Sequence, residues 1–218
     1  MNESENEPIG KSTVWRRLGE QRPIPSGGLL GKPGEGYEIL AAKARKSFQQ
    51  FWNAERGCCY DVIGAPGIGN DGTLRPNQIF AVSLLGNLIT QEQQKSVVDV
   101  CAQQLLTSHG LRSLAPGEPG YVGHYGGSPR DRDAAYHQGA VWGWLLGPFA
   151  LAHFRVYKAR EAALRFLEPL GRQIYASGLG TLSEIFDGDA PFTSRGCIAQ
   201  AWTVAELIRA WQQLARKQ

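Results

Sequence analysis

Three clusters in this 218-residue sequence gather side chains that could work on a polyhydroxylated substrate. The first, Arg75-Pro76-Asn77-Gln78, sets a guanidinium fork and two amides ahead of an apolar run. A simple turn capped by Asn77 explains it equally well. The same donors and acceptors also suit sugar hydroxyls. The second, Asp133-Ala134-Ala135-Tyr136-His137-Gln138-Gly139, leads into a segment holding Trp142 and Trp144. A lone histidine before an apolar segment is usually a satisfied structural group. Here Tyr, Gln, Asp and two Trp accompany it, and aromatic faces beside amides and carboxylates are what a pyranose needs. The third, Gly180-Thr181-Leu182-Ser183-Glu184-Ile185-Phe186-Asp187-Gly188-Asp189, places three carboxylates in one loop. An acidic solvated loop is the plain alternative. The calcium register D-x-D-x-D-G-x5-E is absent. Carboxylates backed by Phe186 and glycines fit general-base work on water.

Other chemistries find less support. There is no G-x-S-x-G, P-loop or dinucleotide fingerprint. GAPGIG (64–69) lacks the following Lys-Ser/Thr and reads as a loop. Cys58, Cys59, Cys101 and Cys197 form no C-x-x-C pair, and His109, His124, His137 and His153 have no H-x-x-x-H spacing. The expectation is buried reduced thiols and no metal site.

The elements that must position these clusters read as mostly helical. Residues 1–35 carry IPSGGLLGKPGEG and read as a mobile leader or irregular arm, leaving 36–218 as the domain. Apolar spacing predicts helices over 37–52, from 76 or 77 to 88, from the Thr90/Gln93 capping box to about 105, and over 139–154, 159–176 and 196–214. The fourth, GAVWGWLLGPFALAHF, is apolar on every side and should be buried all round, with a kink at Pro148. CCYDVI (58–63) is the best strand candidate. The connections 53–75, 107–135 and 177–195 are longer than the roughly 2–8 residues usual between bundle helices, which suggests that they carry function.

Composition bounds the answer. With 42% hydrophobic and 20% charged residues, the chain can build a real core and is one domain or two small ones. Gly, Pro and Cys stay below the levels of collagen-like, disordered or disulfide-stapled chains. The net charge of +3 comes without a basic stripe, which argues against nucleic acid. The sequence offers neither a spanning apolar segment nor a secretory leader, so the expectation is no membrane and a cytoplasmic location.

RPNQIFAVSL (75–84), AYHQGAVWGWLLGPF (135–149) and GTLSEIFDGDAPFTSRGCIAQAW (180–202) together resemble the C-terminal α-1,6-glucosidase domain of glycogen debranching enzymes, in that family's order. The resemblance runs from about residue 37 to the end. It implies an all-α fold, an (α/α)6 toroid of the glucoamylase type, of which this chain would supply the C-terminal half. It implies inverting hydrolysis of α-1,6-linked glucosyl residues at branch points of glycogen or limit dextrin, with no cofactor. In such a reaction two carboxyls about 6.5–9.5 Å apart share the work, one as acid and one as base activating water. By motif position Glu184 matches the base. Arg75, Asn77, Gln78, Tyr136, His137, Gln138 and Trp142 match pocket positions, and Asp187 and Asp189 match loop supports or sugar contacts.

Two departures from the family pattern stand out. Ala140 and Gly143 occupy positions where the family usually has Thr and Pro. The family's general acid belongs to an upstream Trp-Met-Asp motif, and the single Met here is Met1. Half a toroid would also leave an apolar edge, so self-association or a complementing N-terminal half is expected. Two functions follow as alternatives: a glycosidase completed by its missing half, or a non-catalytic glucan-binding or interaction module of the same ancestry.

Overall fold

The computed structural model describes residues 35–177 and 180–216. The chain divides at Ala44 into two units. Of the first, the described part belongs to helix α1 (Glu35–Phe48), which runs on into the second. All but the last residue of the leader read over 1–35 lies outside the described residues.

The second unit, Arg45–Gln218, holds two hairpins, one four-stranded sheet and five further helices. Strands β1 (Trp52–Asn53) and β2 (Cys58–Cys59) pair antiparallel, as do β3 (Val62–Ala65) and β4 (Gly69–Asp71). CCYDVI is therefore split between two hairpins, and GAPGIG supplies the turn of the second. Helix α2 (Gln91–Gln104) starts at the expected capping box: Thr90 Oγ1 accepts from the Gln93 N–H at 3.2 Å, and Gln93 Oε1 accepts from the Thr90 N–H at 2.9 Å. Strand β5 (Leu111–Arg112), helix α3 (Pro129–Ala135) and strand β6 (Val141–Trp142) follow. Helices α4 (Leu146–Tyr157) and α5 (Arg160–Ala176) come next, then strands β7 (Ile185–Phe186) and β8 (Ser194–Arg195) and helix α6 (Ala201–Ala215).

Among the described residues there are six α-helices, but not the six read from periodicity. The 76–88 segment forms a 3-10 turn (Pro76–Gln78) and a π-type turn (Ala81–Leu85) instead of an α-helix. Its place in the count is taken by α3, whose start carries Pro129 at the first position and a Ser128/Asp131 capping box. The 139–154 run is not one helix. Val141 and Trp142 are drawn into the sheet, and the helix begins at Leu146. Pro148 therefore falls in the first turn, where its missing N–H would have had no helical partner, and it has no ladder to kink.

The reading of this run as buried all round holds for the first seven residues of α4; His153 and Phe154 are partly exposed. Leu146 through Ala152 are all buried. Its faces serve two cores: Phe149 and Ala152 join Ile79, Val97, Cys101 and Leu111, while Leu146, Ala150 and Leu151 join Leu167, Leu170, Leu182 and Leu214. At roughly 1.5–3 kcal/mol per large apolar side chain, this makes α4 the central element, with α2, α5 and α6 packed around it.

The all-α expectation needs correction at the sheet, whose order is β5-β6-β7-β8, antiparallel throughout. Leu111 pairs with Trp142, Trp142 with Ile185, and Ile185 with Arg195. The long connections were expected to carry function, and this sheet is what fastens 107–135 and 177–195 to the segment between them.

Candidate active site

The pairing of β6 with β7 decides where Glu184 stands. Trp142 lies opposite Ile185, so the residue before Ile185 emerges beside the 136–142 segment. The Tyr136 hydroxyl donates to Glu184 Oε1. The Cys197 N–H donates to Oε2 at 2.9 Å, and Gln200 Nε2 reaches Oε1 at 3.4 Å. Gly196, at φ +66°, makes this approach possible, because a Cβ there would fall 2.5 Å from Glu184 Oε2. Burial first, then the bond to the Glu184 carboxylate, pushes the Tyr136 phenol well above its ordinary value. It stays protonated and serves as a donor.

Glu184 and Tyr136 line a cleft of about 580 Å³ together with Tyr125, Pro129, Arg132, Asp133, Gly196 and Cys197. The other site residues read from the sequence are not among those that line it. Trp142 stacks on His137 with ring centroids 5.1 Å apart and packs edge-on against Tyr136 at 4.8 Å. Its indole N–H donates to the Tyr136 carbonyl at 3.2 Å. This aromatic packing holds the Tyr136 ring toward Glu184.

Arg75 ties the first cluster to the second. Its guanidinium donates to the His137 carbonyl at 2.7 Å, to Gln138 Oε1 at 2.7 Å and to the Ser113 carbonyl at 3.0 Å. Asp61 lies 3.4 Å from its Nε. Burial raises the Asp61 carboxyl, against the opposing pull of Arg75 and a hydrogen bond with exposed Asn77. Gln78 is buried, with Oε1 accepting from the Cys59 N–H at 3.1 Å and Nε2 donating to the Arg75 carbonyl at 3.1 Å. Both ends of that amide are spent on backbone. The structure thus joins 75–78 to 137–138, and through Tyr136 to Glu184.

The third cluster divides its carboxylates between tasks. Asp187 is buried and accepts from Arg195 Nε and Nη2 at 3.0–3.2 Å and from the Tyr125 N–H at 2.9 Å. Burial alone would raise its pKa. The bonds from Arg195 and Tyr125, with the nearby charges of Arg195 and His124, outweigh that and hold it below 3.8. Asp189 is exposed and accepts from the Tyr121 hydroxyl at 2.8 Å. Both carboxylates fasten the 121–125 loop, and with it Tyr125, to the sheet.

Tyr125 reaches the cleft without a sequence signal of its own, since its N–H is held by Asp187, far along the chain. The capping box of α3 could have placed Arg132 and Asp133 four and three residues before Tyr136, on the same helix face. Cys58, Cys59 and Cys101 are buried free thiols, and burial pushes Cys59 up to about 11. Cys197 departs from the expectation of buried thiols: it is exposed and lines the cleft. Among the described residues, no group of three His, Cys, Asp or Glu side chains is placed to hold a metal ion. Nor is any described helix long and apolar enough to cross a membrane.

Comparison with known proteins finds relatives in sequence and in fold. The chain is 25% identical over 182 residues to the glycogen debranching enzyme of Saccharomyces cerevisiae, a match covering 73% of this chain and 12% of that protein. In fold it is similar to a GH63 mannosylglycerate hydrolase from Thermus thermophilus, solved with glucose (TM-score 0.63, 17% identity, 85% of this chain and 43% of that one). It is also similar to the neutral trehalase of Saccharomyces cerevisiae (TM-score 0.55, 15% identity, 84% of this chain and 31% of that one). Both are glycosidases of the (α/α)6 kind, and the chain spans less than half the length of each relative. The family model for amylo-alpha-1,6-glucosidase matches residues 20–209, and the chain belongs to that family.

Proposed function

We propose that this chain is the base-bearing part of a glycosidase that releases α-1,6-linked glucose from branch points of glycogen or limit dextrin with inversion. One observation carries the reading: the Glu184 carboxylate stands at the cleft, oriented by the Tyr136 hydroxyl and the Cys197 N–H. A carboxylate held in this way can draw a proton from a water molecule as that water attacks the anomeric carbon. The phenol donates to one oxygen and leaves lone pairs on the carboxylate for the water. The leaving oxygen needs a proton from a second carboxyl on the opposite face. No Trp-Met-Asp occurs in the sequence, so in this reading the acid comes from polypeptide outside these 218 residues, whether a complementing N-terminal half or another chain.

Glucose release from phosphorylase-trimmed glycogen, with the completing polypeptide present, tests the proposal. Glu184→Gln should lower the rate by about 10²–10⁴-fold, the usual contribution of a general base. A rate unchanged in that variant refutes it.

The missing acid motif favours a second reading, a glucan-binding module without turnover. It predicts weak oligosaccharide binding by the chain alone, lost in Trp142→Ala because that ring holds both His137 and Tyr136. Turnover by the completed protein would exclude it.

A further inference from the structure

The Glu184 carboxylate has donors on both oxygens, and they are unevenly shared. Oε1 accepts from the Tyr136 hydroxyl and from Gln200 Nε2. Oε2 accepts from the Cys197 N–H. An ionised carboxyl offers roughly four lone-pair sites, two on each oxygen. Oε1 is therefore filled, and the site still open lies on Oε2.

Gln200 reaches this position by working at both ends of its amide. It is the N-cap of α6, where its Oε1 accepts from the Trp202 N–H at 3.4 Å. That N–H is one of the donors a helix start leaves without an internal partner. Its Nε2 donates to Glu184 Oε1 at 3.4 Å. The reverse amide orientation would set oxygen against carboxylate and NH2 against N–H, so the two neighbours fix which end points at Glu184. The backbone holds the residue as well: the Gln200 N–H donates at 2.8 Å to the carbonyl of buried Leu182, two residues before the base. On the other side, α6 is seated by buried Thr203, Ala210 and Leu214.

We infer that Gln200 is a positioning residue for Glu184, filling the second site on Oε1 and leaving Oε2 to take the proton. The inference rests on reading Glu184 as the general base. In that step a water O–H bond breaks and its proton passes to Oε2. The water oxygen bonds to the anomeric carbon as the bond to the leaving oxygen breaks, and the leaving oxygen takes its proton from the acid of the completing polypeptide.

Capping and positioning come apart in Gln200→Ser. Serine is a good N-cap, but its side chain is too short to reach Glu184 as well. With the completing polypeptide present, glucose release from phosphorylase-trimmed glycogen should show kcat about fivefold lower, the worth of one ordinary hydrogen bond, with KM unchanged. Added to Glu184→Gln, the same substitution should lower kcat no further, because the group it positions is already disabled. Gln200→Glu keeps the length and an oxygen for the Trp202 N–H but sets a negative charge against Oε1. It should lower kcat at pH 7 by more than the serine substitution, and it decides the matter if Gln200→Ser fails to fold by circular dichroism. A kcat equal to that of the unsubstituted protein in the folded variants, a loss carried by KM alone, or a full fivefold loss on top of Glu184→Gln overturns the role of Gln200 and leaves the base reading intact. Full activity in Glu184→Gln overturns both.

Discussion

Replacing Asp187 by Asn separates a supporting role from a sugar-binding one. The carboxylate accepts from Arg195 through two nitrogens at 3.0–3.2 Å and from the Tyr125 N–H at 2.9 Å, and its side chain is 7% exposed. Asn keeps one acceptor oxygen and loses the charge. Breaking a buried ion pair by removing one partner typically costs about 3–5 kcal/mol. Arg195 is 32% exposed and can recover some hydration, so the expected loss here is about 2–3 kcal/mol. For a domain of this size each kcal/mol moves Tm by about 2–4 °C, which predicts a fall of roughly 4–12 °C at pH 7.

The pH dependence gives the sharper test. The folded-state pKa of Asp187 is depressed below 3.8, so its contribution is in place above that value and is lost as pH falls through the folded pKa. Asn does not titrate. Thermal unfolding followed by circular dichroism should therefore show a gap between the two proteins that is in place at neutrality and closes below pH 3.8. A gap equally wide at both ends, or none at pH 7, refutes the assignment of Asp187 as the anchor of the Tyr125 loop.

Other perturbations probe other links. Tyr136→Phe should lower kcat about tenfold with little change in KM, since it removes a donor that orients Glu184; a KM effect alone would make Tyr136 a sugar contact. Gly143→Pro, which brings in the residue usual in the family, should destabilise by about 1–3 kcal/mol, because a Cβ there meets Thr203 Cγ2 at 2.8 Å. Adding Thr203→Ser should recover part of that in chemical denaturation, and no recovery would assign the strain elsewhere. Helix α6 exposes Trp202 (63%), Trp211 (56%) and Ile208 (49%) opposite its buried Ala210 and Leu214. Light scattering on the isolated chain should show self-association; a monodisperse monomer that binds no apolar dye would contradict it.

What the sequence could reveal follows from the range of the forces involved. Helix α2 was legible because its start is a local contact between Thr90 and Gln93, and α5 because its apolar stripe repeats along one segment. Strands of two residues have no period to read. Val141 and Trp142 look helical beside their neighbours, and become extended because Leu111 and Ile185 pair on either side of them. Helix α6 starts at Ala201 and not at 196 for a similar reason: Ser194 and Arg195 are held in the sheet, and Gly196 turns the chain at positive φ.

The same distinction sorts the candidate site. Glu184 was reached through its motif, and the structure gives it partners at 136, 197 and 200. Arg75 and Gln78 were read as sugar donors, a reasonable use of their chemistry in isolation. Their partners prove to be the Ser113 and His137 carbonyls, the Gln138 side chain and the Cys59 N–H, groups that no local pattern announces. A buried fork or amide must satisfy its donors somewhere, and backbone at long range is available only after folding. Polar clusters in a sequence therefore mark where the chain is costly to bury. Whether ligand or protein meets that demand is decided by tertiary neighbours.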